Sequence, residues 1–259
     1  MRIWRGLILA VCLALCLGAG PAGVGRGSGL FQTSTLPALM AGIYDGDLTF
    51  RDLARHGDFG LGTFKALDGE MIGLDGVFYQ IKADGKVYPV SGDMTTPFAA
   101  VAFFKPDATY RLDRPMTYEQ LLEYIAARLP GPNITYAIRV DGDFAAVKTR
   151  SVPRQAKPYP PLAAVVQRQA VFDLADVKGV IVGFRFPEYL AGVHVAGYHC
   201  HFITADRRAG GHLLGCQVKA ATVAVAGLSD FHLRLPSSME FLQMGVKAVS
   251  QQEVDKVEK

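Results

Sequence analysis

The chain has 259 residues, a formal net charge of +3 and apolar side chains at half of its positions. That length and composition allow one large core or two modest ones. The charge is small and scattered, with no Lys/Arg stripe, which speaks against a nucleic-acid binder and for a small-molecule substrate.

The chain opens on MRIWRGLILAVCLALCLGAGPAG. Arg2 and Arg5 precede an apolar stretch over 6–18, and small residues with Pro21 follow, which is the layout of a secretory signal peptide. The expectation is a signal peptide over 1–25, cleaved between 20 and 28, and an exported protein, secreted or periplasmic. The stretch is shorter than the roughly 20 residues of a membrane span. A retained N-terminal anchor is the competing reading, and no stable anchor is expected. Leu13-Ala14-Leu15-Cys16 fits a lipoprotein cleavage site poorly because Leu15 is bulky. Cys12 and Cys16 leave with the leader, so Cys200 and Cys216 remain, too few for a disulfide framework.

Past a Gly-rich stretch at 24–30, TSTLPALMAGIY (33–44) has helical spacing behind a Ser/Thr start. TFRDLARHG (49–57) reads as a second short helix, with Thr49 as N-cap and Gly57 past its end. The period then drops to two. FGLGTFKAL, EMIGL, VFYQIKA and KVYPV are short β-runs separated by Asp68-Gly69, Asp75-Gly76 and Asp84-Gly85, each suited to a tight hairpin. PFAAVAFF (97–104) continues the sheet, and TYEQLLEYIAARL (117–129) is an amphipathic helix capped by Thr117.

ITYAIRV and FAAVKTRSV flank Asp141-Gly142, which predicts another hairpin. PLAAVVQRQAVF reads as a helix, and VKGVIVGFRF, GVHVAGYHCHFI, GHLLGCQVKAATVAVAGL and FHLRLP as strands. SSMEFLQMGV (237–246) is a late helix before a polar tail, QQEVDKVEK. The expected fold is α+β, with two β-rich halves, mixed or antiparallel sheets and a few helices. The division expected is an N-terminal α+β domain over 26–155 and a C-terminal β-rich, metal-binding domain over 156–259.

Four of six histidines fall between residues 194 and 212. His199-Cys200-His201 lies on a predicted strand, so alternation puts both imidazoles on one face and Cys200 on the other. His212 follows a turn, ADRRAGG, that returns it to the same face. Three imidazoles from two adjacent strands make the fixed part of a catalytic metal site with an open position, and zinc fits best, although iron, cobalt, nickel and manganese also bind such sets. His194, five residues before His199, falls on the opposite face and is set aside, while His56 and His232 read as structural. On a regular strand Cys216 shares the face of His212, roughly 13 Å away at about 3.3 Å per residue, too far to be a ligand. A Cys200–Cys216 bridge would need a bulge.

With the histidines placed, GYHCHFITADRRAGGH, QTSTLPALMAGIYDG, GTFKALDGEMIGLDGVFYQI, TPFAAVAFF, YAIRVDG and VKTRSVPRQ together resemble the α-acetolactate decarboxylase family, from about residue 31 to the C-terminus. The resemblance implies a carboxy-lyase that converts (S)-2-acetolactate to (R)-acetoin and CO2, as a homodimer with a bound divalent metal. It carries the metal ligands onto His199, His201 and His212, the Glu of the LDGE word onto Glu70, the Arg of the TRSV word onto Arg150 and the pocket Thr of the GTF word onto Thr63. A C-terminal Glu that folds back falls on Glu258, with Glu253 as the other candidate. In the chemistry so implied, the metal chelates the hydroxy-ketone and stabilises an enediolate, which a glutamic acid, Glu70 or Glu258, protonates. Arg150 offers a planar fork to the substrate carboxylate. Two other readings compete. A metal-dependent oxygenase on a small barrel would want a carboxylate soon after the histidine pair, where only Asp206 is offered. A non-catalytic exported metal-binding protein would not need an Arg and Glu residues spread along the chain.

Overall fold

The computed structural model describes residues 29–258, so the expected signal peptide lies outside the described residues. In the first half come β1 (Gly29–Thr33), α1 (Leu36–Met40), β2 (Leu48–Thr49), α2 (Phe50–Leu53), β3 (Phe59–Thr63), β4 (Glu70–Leu74) and β5 (Val77–Ile81). Then follow β6 (Val87–Pro89), β7 (Thr95–Thr96), β8 (Ala99–Ala102), β9 (Ala108–Leu112), β10 (Met116–Thr117) and α3 (Tyr118–Ala126). The remainder is β11 (Thr135–Ser151), α4 (Leu162–Val166), β12 (Ala170–Phe186), β13 (Gly197–Thr204), β14 (Gly210–Leu228), β15 (Asp230–Arg234), α5 (Met239–Gln243) and α6 (Gln251–Glu258). The α+β class read from the sequence is the one observed.

Two sheets carry the architecture. The first runs in the order β15-β1-β8-β3-β4-β5-β6, antiparallel except for the parallel pair β1–β15. The second runs β10-β14-β11-β12-β13, with β9 also on β14. Its outer strand β13 meets β14 again beside their shared turn, so this sheet curls back on itself. Residue 155 falls in the connection between β11 and α4, and the strands on either side of it pair with each other from Tyr136↔Arg185 to Ser151↔Ala170.

The sheets pack face to face through Leu30, Phe59, Leu61, Ile72 and Leu74 on one side and Val180, Val182, Phe184 and Ile203 on the other, all buried in one cluster. Burying that much apolar surface is the main stabilising term, at about 25 cal/mol per Å². The concave side of the second sheet is filled by Phe144, Val147, Phe202 and Val223, under Leu121 and Ile125 of α3. Helices α1, α4 and α6 close one end through Leu39, Leu162, Val165, Val254 and Val257.

Local chemistry explains several of these elements. Thr117 accepts from Gln120 N while the Gln120 side chain accepts from Thr117 N, a capping box that starts α3. Asp75 and Gly76 both take left-handed φ, 54° and 79°, so β4 and β5 join through the two-residue turn the sequence predicts. Asp84-Gly85 lies in the longer turn between β5 and β6, where Gly85 takes left-handed φ of 77° and Lys82 N–H donates to Lys86 O. Asp68-Gly69 does not make a tight hairpin, because residues 64–69 form a longer connection with a 3₁₀ turn at Lys65–Leu67.

The predicted hairpin at Asp141-Gly142 is absent. Both residues lie inside β11, paired to β12 and β14. Arg139 grips Asp141 through Nε at 2.7 Å, and a Cβ on Gly142 would sit 2.7 Å from Ala220 O. That glycine therefore serves close strand approach rather than a turn. The predicted helix over 161–172 ends at Val166, since Val171 and Phe172 are drawn into pairing with Arg150 and Thr149. The polar tail is not loose: residues 251–258 form α6.

Candidate metal centre and active site

Two hydrogen-bonded rows face each other between the sheets. In the first sheet Thr63 pairs with Glu70, and Glu70 with Ile81. In the second, Arg150 pairs with His212, His212 with His201, and His201 with Val182. Directly opposed residues share a face, so each row presents its side chains to the other.

The local sequence explains how each residue reaches its row. On β3 and β4, Phe59, Leu61, Ile72 and Leu74 face the second sheet, and period two carries Thr63 and Glu70 to that face. On β11, Ile138, Val140 and Phe144 point into the α3-side core, but so does Val147. The switch from even to odd numbers marks the bulge where the β11–β14 register shifts, between Asp143 and Ala146. That extra residue turns Arg150 toward the site. On β13, Cys200 and Phe202 face the α3-side core, which leaves His199 and His201 on the site face, as parity predicts.

The same physics corrects the reading of Cys216. Lys148 pairs with Gly215 but Thr149 with Leu213, so Leu214 is bulged out of the ladder. Cys216 therefore joins Leu213 and Cys200 in the α3-side core instead of sharing the His212 face. Both cysteines are free and buried, and burial pushes each thiol up to about 12. Neither offers a thiolate to a metal.

Gly211 lets this row form. Its φ is +140°, and a Cβ there would sit 2.4 Å from Arg150 O. Gly211→Ala is expected to cost about 1–3 kcal/mol in backbone strain, with further loss from that clash, and to push His212 out of register. Chemical denaturation, with metal content measured alongside, checks this; an unchanged midpoint and metal content would refute it.

The three imidazole rings lie 5.1 to 5.3 Å apart, centroid to centroid, and one ligand nitrogen from each falls within 4.8 Å of the others. All three are buried. Burial, with Arg150 adding to it, holds His199 down at about 3 and keeps His201 and His212 well below the usual imidazole range. Three neutral rings with free lone pairs are the donor set a divalent cation requires. His201 Nδ1 is 2.9 Å from Met71 O, a contact that fixes its ring when Nδ1 carries the proton.

Two carboxylates and one guanidinium complete the cluster. Glu70 lies 3.6 Å from His201 Nε2 through Oε2 and 3.4 Å from Arg150 Nη1 through Oε1. Burial pushes the Glu70 carboxyl up to about 7, against the pull of Arg150 and with a further push from Glu258. Glu258 Oε2 lies 3.6 Å from His199 Nε2 and 3.8 Å from His212 Nε2, buried and without a hydrogen-bond partner. Burial also raises the Glu258 carboxyl above its ordinary range, with Arg150 opposing. An orphaned carboxylate oxygen facing two imidazole nitrogens is costly unless a cation or a proton joins them. The donor set therefore fits a metal.

Helix α6 delivers Glu258. Arg150 Nη2 donates to Val257 O at 2.8 Å, and His212 Nε2 is 3.0 Å from Glu258 O. Val254 and Val257 pack on α4, while Glu253, the other tail candidate, accepts from Ser250 at the start of the helix and stays exposed. The sequence-predicted residues Thr63, Glu70, Arg150, His199, His201, His212 and Glu258 thus all line one small cavity. The Thr63 hydroxyl donates to Gly69 O at 2.7 Å. The apolar wall of Leu39, Leu67, Phe98, Val152 and Leu162 was not singled out from sequence, since it assembles from five separate segments. His194, set aside on parity, lies against the cluster: its ring is 5.2 Å from that of His199. Gly197, with φ of 86°, breaks the strand between them, so the count of residues does not carry over.

A family model described as α-acetolactate decarboxylase matches residues 30–248. Among curated relatives, the α-acetolactate decarboxylase of Methanosarcina mazei is 50% identical over 230 residues, covering 89% of this chain and 80% of that one. That of Bacillus subtilis is 43% identical over 214 residues, covering 83% and 82%. The crystal structure of α-acetolactate decarboxylase from Bacillus subtilis strain 168 superposes with a TM-score of 0.87 at 40% identity, over 89% of this chain and 99% of that one. A Staphylococcus aureus protein of unknown function, described as similar to α-acetolactate decarboxylase, gives 0.83 at 30% identity over 88% and 97%.

Proposed function

Because the chain belongs to the α-acetolactate decarboxylase family, and so is a carboxy-lyase, we propose that its buried cluster performs that reaction with a divalent cation, zinc first among the candidates, held by His199, His201 and His212. The observation that carries this reading is the convergence of the buried triad with Glu70, Arg150 and Glu258. A cation bound there supplies Lewis-acid stabilisation of negative charge on the hydroxyl and carbonyl oxygens of the substrate.

The chain's own residues do the rest. Arg150 holds the substrate carboxylate and sets the direction in which CO2 departs. Its hold must relax in the transition state, because the carboxylate is the group that leaves. Contacts to Glu70 and Val257 keep the guanidinium fixed without substrate. The apolar wall excludes water from the enediolate left behind, which would otherwise be protonated without facial preference. A carboxylic acid then gives its proton to the carbon that lost CO2. Glu70 and Glu258 both carry carboxyls raised by burial, and both sit beside the triad. Delivery from one side yields a single enantiomer, (R)-acetoin from (S)-2-acetolactate. Thr63 shapes the same wall.

We also propose a homodimer and an exported protein. The charged-then-apolar leader supports export. Edge strand β15 and the exposed Leu235, Met239 and Leu242 support a second copy as the cover of that edge. Among the described residues no helix is long and apolar enough to cross a membrane.

The test is to measure acetoin and CO2 from racemic acetolactate, with and without a chelator, beside elemental analysis of the purified chain. Expected are one equivalent of divalent metal, acetoin from one enantiomer, and loss of turnover on chelation that added zinc restores. Full turnover in metal-free protein would remove the metal from the reading.

A further inference from the structure

His194 is 1% exposed and stacks on Phe186, with ring centroids 3.8 Å apart and 14° between planes. Phe98 lies 5.3 Å away on a tilted plane. The N–H of Val195 donates to His194 Nδ1 at 2.7 Å, so the lone pair is on Nδ1 and the ring proton is on Nε2. That Nε2 is buried and has no hydrogen-bond partner. The neighbouring ring of His199 has the same defect at Nδ1. Its Nε2 is the atom that faces Glu258, so when Nε2 gives its lone pair to a cation the proton sits on Nδ1.

Two adjacent rings therefore each hold an N–H donor in a pocket walled by phenyl groups, and a donor cannot bond a donor. Leaving both unmade carries the desolvation penalty of each donor, which native interiors avoid by placing an acceptor. We propose that one buried water accepts from both His194 Nε2 and His199 Nδ1, making His194 the positioning residue for the ring of a metal-binding histidine. This rests on the reading that the triad holds a divalent cation. A water that accepts twice has two protons to give. Gln32 supplies an acceptor on the neighbouring segment: its amide NH2 donates to Val193 O and Ser34 O, both at 2.9 Å, leaving Oε1 buried without a partner.

The consequence is a fixed tautomer and ring plane at His199. Outer partners of metal-bound histidines are typically worth about 10–100-fold in metal affinity. Zinc affinity is to be measured by competition with a chromogenic chelator, and the visible spectrum of the cobalt-loaded protein recorded, for the parent chain, His194→Phe and His194→Gln. His194→Phe keeps the stacking ring but removes the Nε2 donor, together with the Nδ1 acceptor of Val195 N–H. It is expected to weaken zinc binding about 10–100-fold and shift the cobalt bands, while the loss of the acceptor for Val195 N–H lowers the melting temperature of the metal-free protein alike in both variants. His194→Gln, whose amide N–H extends to the position of Nε2, is expected to recover most of the affinity. Parent-like affinity and spectrum in His194→Phe would overturn the proposal, and so would equal weakening in both variants, which would mark a packing role. A high-resolution structure of the zinc-loaded parent with no density between the two rings would overturn it without any variant. Failure of the parent chain itself to bind zinc or cobalt would instead sink the metal reading on which it stands.

Discussion

Ending the chain after Val257 lowers kcat by about 10²–10⁴-fold, the usual contribution of a positioned general acid, while the protein stays folded and keeps its metal. Few folded-state contacts are lost, since Val254 and Val257 still anchor α6 against α4. What disappears is the orphaned carboxylate beside His199 and His212 and the carbonyl that meets His212. Glu258→Gln separates those two losses. It retains the carbonyl and the shape of the side chain but cannot give a proton at the pH of the assay. If the acid matters, both variants fall together. If the carbonyl matters, only the truncation falls, and its metal content falls with it. Turnover within a few-fold of the parent in both variants would leave Glu70 as the donor.

The second large effect is expected at Arg150. Arg150→Met should cut kcat/KM by at least about 10²-fold, the typical loss when one preorganised charge contact to a reacting group is removed. Arg150→Lys should restore little, because a point charge on a flexible stem does not reproduce a planar fork. The substitution also strands a buried carboxylate: Glu70 is 6% exposed, and Arg150 is the cation that pulls its carboxyl down. Breaking a buried pair from one side costs about 3–5 kcal/mol, whereas replacing both partners is often close to neutral. The double variant Arg150→Met with Glu70→Gln is therefore expected to regain most of the stability lost by Arg150→Met and none of the activity. Denaturant midpoints and steady-state rates on the same preparations separate the two. Recovery of activity in the double variant would mean that Arg150 acts only by neutralising Glu70.

Where sequence reasoning succeeded, it used strict geometric periods. His199, His201 and His212 come from period two on β13 and from a turn that its glycines announce. Thr49 and Thr117 come from caps whose oxygen must lie three residues before an orphan N–H. Arg150, Glu70 and Glu258 were legible only through resemblance, since no local pattern links residues on two sheets and a distant helix. The misreadings have separate physical causes. Bulges at 144–146 and at Leu214 change which face a residue takes, and nothing in the flanking composition signals them. Asp141-Gly142 carries turn chemistry, but its neighbours Arg139 and Ala221 employ the same residues for an ion pair and a close approach. His194 was lost because a parity count assumes an unbroken strand. The tail read as polar because α6 buries little beyond two valines, and its order comes from tertiary contacts rather than from its own helix propensity.

The row Arg150–His212–His201 sets a rule about length as well as chemistry. Each of these residues is held at its place by lateral pairing, so a single deletion or insertion within β11, β13 or β14 slides one member along its strand and turns it to the wrong face. The turn at 205–209, which joins the two histidine strands, carries no member of the row and lies outside it. Homologous chains of different length are thus expected to absorb gaps in that turn and to keep the strands beside it gap-free, so that the spacing between the second and third histidine drifts while the pairing of the two does not.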